Sequence, residues 1–223
     1  MNLKLHYSHP WDISPAEAIA IQNRLRAHIE TSDILAEVKT VAGIDVGFED
    51  AGKTTRAAIA VLNYSSLDLI FTSIARRKTT FPYIPGLLSF RELPAILEAL
   101  SHLDNLPDLF ICDGQGYAHP RRFGIACHLG LLTGVPAIGV GKTRLLGNYK
   151  VPADRKGNWT PLLDRQEVIG AVLRTRKGVK PVFISIGHRI SLDTSIRYVM
   201  ACTTSYKLPE PTRHAHKLAS SRV

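Results

Sequence analysis

Cysteine is scarce in this chain, and the little there is excludes two common uses. Cys112, Cys127 and Cys202 are the only three, an odd number with no CxxC pair. That spacing argues against a disulfide framework and against a structural zinc site. All three sit among apolar residues, which predicts buried, reduced thiols in a cytoplasmic protein. Long apolar runs are missing too, so no membrane span is expected. Residues 1–11 lack the apolar core of a secretory signal. There is no internal repeat, no low-complexity stretch and no linker. With 45% hydrophobic residues, the chain is expected to fold as one domain over 1–223.

Acid is also unevenly missing. Net charge is +9, from 28 Lys and Arg against 19 Asp and Glu. Three windows hold no acid at all: Leu69 to Arg91, Gly114 to Ala153, and Val168 to Leu192. Basic side chains fall in each, among them Arg76, Arg77, Arg91, Arg121, Arg122, Lys142, Arg144, Arg174, Lys180 and Arg189. Surfaces kept clear of carboxylates suit a polyanion, although an ordinary solvated basic face has the same composition.

What is present reads as α/β. Ser14, Pro15 and Glu17 spell a helix start with a capping box, and Ala18, Ile21, Leu25 and Ile29 give one apolar stripe to about Glu30. Three strands follow closely, at Lys39 to Phe48, Arg56 to Tyr64 and Leu67 to Arg76. Their short connections imply antiparallel pairing. Helices are then expected at Ser89 to His102, Arg122 to Leu132, Leu192 to Thr203 and after Pro211. Strands are expected at Asp108 to Cys112, Val135 to Val140 and Val182 to Ile186. Alternating helix and strand predicts a parallel half-sheet. Three antiparallel strands followed by parallel ones, flanked by helices, is the order of a ribonuclease H-like mixed sheet. In that topology the fourth strand lies parallel beside the first.

The topology has a chemical consequence. Asp45 interrupts the apolar strand Gly43-Ile44-Asp45-Val46-Gly47, a costly place for a carboxylate unless it is paired or holds a metal. Asp113 ends the fourth strand, in Asp113-Gly114-Gln115-Gly116; on its own this is also an ordinary turn. Neighbouring parallel strands would set the two side by side. Their repulsion is relieved by a divalent cation, and oxygen donors suit Mg²⁺ or Mn²⁺. Such sites hydrolyse phosphodiesters. Glu92 has two readings: a capping-box partner of Ser89, or, with the regular helix beginning nearer Pro94, a carboxylate left at the helix entrance. Pro82-Tyr83-Ile84-Pro85-Gly86 is a stiff loop. Its Tyr83 either packs inward or wedges between bases. Lys142 follows a strand in Gly139-Val140-Gly141-Lys142-Thr143, which lacks P-loop spacing. His214 and His216 lie two apart on the last helix, so at most one faces a given site, and spacing does not choose.

Taken in order, these segments with Ser89-Phe90-Arg91-Glu92, His119-Pro120-Arg121-Arg122, Gly187-His188-Arg189 and Leu208-Pro209-Glu210-Pro211-Thr212-Arg213 resemble the endonuclease V (deoxyinosine 3′-endonuclease) family. The resemblance runs from about Asp12 to Leu218. It implies a DNA-repair nuclease that needs Mg²⁺, with Mn²⁺ as a substitute. Such an enzyme recognises deoxyinosine in DNA and hydrolyses the second phosphodiester bond on its 3′ side, leaving 3′-hydroxyl and 5′-phosphate ends. It further implies Asp45 and Asp113 as metal ligands, with Glu92, Lys142 and His216 completing the catalytic set. Tyr83 belongs to the wedge. Gly86, Arg91, Gly114, Gly116, His119 and Arg121 would contact substrate. Gln115 departs from the histidine expected there. The alternatives are another ribonuclease H-like nuclease, an enzyme for inosine-containing RNA, or a nucleic-acid-binding protein without catalysis. No obligate protein partner is implied, and a monomer is expected.

Overall fold

The computed structural model describes residues 3–220. Helix α1 (Pro15–Leu25) starts on the expected box: the Ser14 hydroxyl accepts from the Glu17 amide, and the Glu17 carboxylate accepts from the Ser14 amide at 2.8 Å. It ends earlier than its stripe suggested. A 3-10 turn covers Arg26–His28, and Ile29 is extended. The buried face is Ala18, Ile21, Gln22 and Leu25. Glu30 is drawn away by Arg189, 2.8 Å from its carboxylate.

Strands β1 (Thr40–Glu49), β2 (Thr54–Asn63) and β3 (Leu69–Lys78) pair antiparallel, as their short connections require. Helix α2 (Leu88–Ser101), strand β4 (Leu109–Asp113), helix α3 (Ile125–Thr133) and strand β5 (Ala137–Gly141) follow. β4 lies parallel to β1, with Ile44 opposite Cys112, and β5 lies parallel to β4. The parallel part stops there. Strand β8 (Val182–His188) runs antiparallel to β5. The cause is a hairpin that the sequence reading missed, β6 (Trp159–Asp164) and β7 (Glu167–Leu173). Pro161 and the polar turn Asp164-Arg165-Gln166-Glu167 hid it, but β6 is the outermost strand, where a proline needs no ladder partner. Helices α4 (Leu192–Ala201) and α5 (Glu210–Ser220) end the chain's description. The sheet has eight strands in the order β3-β2-β1-β4-β5-β8-β7-β6, a ribonuclease H-like arrangement with helices on both faces.

Alternation along the strands sorts the two faces. Ala42, Ile44, Phe110 and Cys112 meet α2 and α3 residues such as Leu93, Ile96 and Leu129. Val41, Leu109 and Ile111 share a second cluster with Ile196 and Val199 of α4 and Ala215 of α5. Continuing that second face past Val41 and Ile111 brings up Asp45 and Asp113. Helix α5 lies across β1 and β2. Only glycine admits it: a Cβ on Gly43 would stand 1.9 Å from the Pro211 carbonyl oxygen, and one on Gly47 2.4 Å from that of Ala219. A third cluster packs Ile21 and Leu25 of α1 on Phe90, Phe123 and Leu131. Complete burial of side chains such as Phe90 and Phe123 contributes roughly 1.5–3 kcal/mol each. The three cysteines are buried and free. Among the described residues, no helix is long and apolar enough to cross a membrane.

Candidate active site

The parallel register of β1 and β4 brings Asp45 and Asp113 to one end of the sheet. Helix α5 delivers His216, whose Nδ1 is 2.7 Å from Asp45 Oδ2. The Val46 amide donates to Asp45 Oδ1 at 2.8 Å and fixes that carboxylate. Lys142, one residue past β5, ion-pairs with Asp113 Oδ2, and its Nζ lies 3.4 Å from His216 Nδ1. His214 points elsewhere, 4.0 Å from Glu210, one turn back on α5. Of the two histidines that spacing left open, His216 is the one beside Asp45.

Glu92 does not stand at a helix entrance. Helix α2 begins at Leu88, contains Pro94, and makes no side-chain cap; the Ser89 hydroxyl instead meets His128 Nδ1 at 3.0 Å. Burial of Phe90, Leu93, Ile96 and Leu100 outweighs the one hydrogen bond that Pro94 cannot make. Glu92 is thereby carried into the interior, 7% exposed. Burial first, then the charges of Asp45 and Asp113, push its carboxyl up to about 8. Asp45 is raised by the same two causes, burial and Asp113, against the lowering effect of its bond to His216. Three carboxyls crowd one low-dielectric corner, so protons or cations must share it.

The donor atoms gathered here could hold a metal ion. One ligand atom from each of Asp45, Asp113 and His216 lies within 4.8 Å of the others. Burial and mutual repulsion disfavour negative charge on Asp45 and Glu92, and a divalent cation would relieve both.

Beside the carboxylates opens a cavity of about 290 Å³. Its walls include Tyr83, Ile84 and Gly86 from the proline-flanked loop, Gly114 and Gln115 after β4, and His119. Tyr83 is 70% exposed and stands at the surface. Gly86 has φ +80°, a left-handed turn that favours glycine. Its carbonyl oxygen accepts three side-chain donors: Gln22 Nε2 at 3.0 Å, His119 Nε2 at 3.0 Å and Arg121 Nη2 at 2.6 Å. His119 Nδ1 accepts from the Arg121 amide at 3.2 Å, so Nε2 carries the proton of a neutral ring. Burial, then Arg121, lowers His119 to about 4, which keeps it neutral at physiological pH.

Other expected contacts are occupied within the protein. Arg121 Nε is bonded to Gln22 Oε1, so Arg121 braces the Gly86 loop. Arg91 donates to the carbonyls of Phe81 and Gly52 and lies 4.5 Å over the Phe48 ring. Gly116 is packed against β8; its amide donates to Ser185 Oγ, and a Cβ there would stand 2.0 Å from the Ile186 carbonyl oxygen.

Gln22 was missed from sequence. Its signal was a lone amide at a buried position of the α1 stripe, beside Ile21. It is 1% exposed and also donates to the Phe123 carbonyl at 3.1 Å. Gln22→Ala strands buried partners on Arg121 and Phe123. Stability should fall by roughly 1–3 kcal/mol, read by urea denaturation; an unchanged midpoint would show that the brace is not used.

Two carboxylates on adjacent parallel strands, with a lysine and a histidine at hand, are an arrangement suited to the metal-assisted phosphodiesterase class of enzyme. The family model for endonuclease V matches residues 23–217. Endonuclease V of Trichormus variabilis is 55% identical over 221 residues, covering 99% of this chain and 100% of its own. The crystal structure of endonuclease V from Streptomyces avermitilis superposes with a TM-score of 0.89 at 43% identity, covering 94% of this chain and 92% of that one. Endonuclease V of Ciona intestinalis, in complex with a 24mer DNA containing an inosine followed by a ribo-adenosine, gives a TM-score of 0.80 at 30% identity, over 92% and 95% of the two chains. The chain belongs to the endonuclease V family.

Proposed function

We propose that this chain recognises deoxyinosine in DNA and hydrolyses the second phosphodiester bond on its 3′ side. The observation that carries this reading is the juxtaposition of a base-sized cavity, edged by Tyr83, with the Asp45–Asp113–His216 cluster. A base flipped into a fixed cavity sets which phosphate reaches a site a fixed distance away. Asp45, Asp113 and His216 would hold Mg²⁺, or Mn²⁺ in its place, with Glu92 behind them. When bound, the ion supplies Lewis acidity toward the phosphodiester and lowers the pKa of water. Lys142 balances negative charge on the phosphate. Water adds to phosphorus, the bond to the 3′ oxygen breaks, and the products are a 3′-hydroxyl and a 5′-phosphate. Gly86, Gly114 and His119 shape the base cavity; Arg91, Gly116 and Arg121 act on substrate only by holding the loops that do. The reading includes a single catalytic domain over 1–223, acting as a monomer in the cytoplasm, where the buried thiols stay reduced.

Cleavage of matched inosine and undamaged duplexes, with end mapping and a parallel inosine-containing RNA strand, tests the reading. Cutting one nucleotide beyond deoxyinosine, only with divalent cation, is expected. Equal cutting of undamaged duplex would point to a nuclease of different specificity, and preferential cutting of RNA to an RNA substrate.

Tyr83 separates a wedge from a structural residue. Tyr83→Ala should weaken binding to duplex inosine by roughly 1–3 kcal/mol, the scale of base–aromatic stacking. Single-stranded substrate should suffer less, because its base is already unpaired. The melting temperature should hold, since the side chain is mostly exposed. A large drop in melting temperature, with both substrates affected alike, would mean that Tyr83 serves the core.

A further inference from the structure

The cations of the acid-free windows divide into two groups once placed. Arg76, Arg77, Arg122 and Arg189 are held by carboxylates from elsewhere in the chain. Arg91 and Arg121 are spent on backbone carbonyls and Gln22. None of these six is a ready phosphate contact, although composition marked all of them.

Other cations of these windows line a groove beside the carboxylates, two of them partnered as well, Lys142 by Asp113 and Arg174 by Asp154. This groove of about 700 Å³ is lined by Lys142, Arg144, Arg174 and Lys180 against a single acid, Asp154. Asp154 is itself engaged, 3.4 Å from Arg174 Nε and accepting from the Gly178 amide at 2.9 Å. Lys207 adjoins the groove; its backbone carbonyl accepts from Thr175 Oγ1 at 2.7 Å. Burial first, then the charges of Lys180 and Lys142, lower its pKa. Among the described residues, neither Lys180 nor Lys207 has a carboxylate partner. Like charges gathered without counter-charge disfavour the fold and favour a polyanion.

The groove is continuous with the site. It shares Thr143 and Arg144 with the base cavity, and Lys142 with the carboxylate cluster. We propose that this groove carries the strand phosphates on the 3′ side of the scissile bond, with Lys180 and Lys207 as principal phosphate contacts. The direction rests on the functional reading above. A strand whose base fills the cavity and whose 3′ phosphate lies at Asp113 and Lys142 runs onward past Lys142, into the groove.

The test is a salt titration of binding, in chelator so that nothing is cut. Wild type, Lys180→Ala, Lys207→Ala and the double variant are compared. Three inosine duplexes are used: one with long flanks, one ending just past the cut on the 3′ side, and one shortened on the 5′ side. Each lost phosphate contact should lower the log–log slope by about 1, and the double variant's by about 2. The loss should appear with the long and 5′-shortened duplexes and vanish with the 3′-shortened one. Unchanged melting temperatures confirm that the variants are folded. Unchanged slopes, or a loss that survives 3′ shortening, would overturn the assignment while wild-type cleavage leaves the functional reading intact. Failure of the wild type to cut inosine DNA would overturn that reading, and the direction assigned here with it.

Discussion

Asp113→Asn and Asp45→Asn should each cost about three orders of magnitude in cleavage rate, ~4 kcal/mol of transition-state stabilisation. The reason is geometric. These carboxylates stand on neighbouring parallel strands, and with His216 they place three donor atoms within 4.8 Å. An amide keeps the shape and removes the charge that holds a cation. Binding to inosine DNA should change little, because the base cavity and the loops around Gly86 are untouched. Chelation of divalent cations should abolish cleavage by the wild type in the same way. Single-turnover rates beside binding isotherms make the measurement. Near wild-type turnover in either variant would remove that carboxylate from the metal site.

A second large effect is expected from Glu92, through pH. Its carboxyl titrates near 8 in the fold, against 4.5 for an ordinary glutamate. Between those values the folded chain holds a proton that the unfolded chain has released. Stability without metal should therefore fall as pH rises from about 4.5 toward about 8, and level off above it. Asp45, raised for the same reasons, adds to this fall. Glu92→Gln removes the proton at issue, so this variant should lose much of the slope and melt higher than wild type at alkaline pH. Divalent cation should oppose the fall in the wild type, since it favours the ionised carboxyls, and should release protons on binding. Melting curves over the pH range, with and without Mg²⁺, test both parts. A wild type whose melting temperature rises through this window in chelator would contradict a neutral buried Glu92.

Much of this site was legible along the chain because its parts obey local rules. Asp45 and Asp113 each end or interrupt an apolar run, and strand order made them neighbours. The first strand and the fourth then paired in parallel with Ile44 opposite Cys112, one residue short of both carboxylates. The stiff loop left Tyr83 between inward packing and exposure, and the structure places it at the surface. The β6–β7 hairpin was missed although Val168 to Leu173 is an apolar run, because Pro161 in the partner strand argues against a strand there. Glu92 was left between two readings, capping partner or helix entrance, and meets neither: α2 begins at Leu88 without a side-chain cap and carries Glu92 into the interior.

By itself, the sequence determined the order of the elements up to β5, the pair of strand-borne carboxylates, the basic character and the family resemblance. These depend on periodicity, residue type and spacing, all of which are written along one dimension. The tertiary structure alone placed His216, not His214, beside Asp45, because α5 reaches that carboxylate by lying against Gly43 and Gly47. It alone showed that Arg121 braces Gly86 with Gln22, a residue 99 positions away. It also showed which cations already have partners within the chain. A side chain's availability depends on partners brought from distant segments, and charge along the sequence does not record where those partners fall.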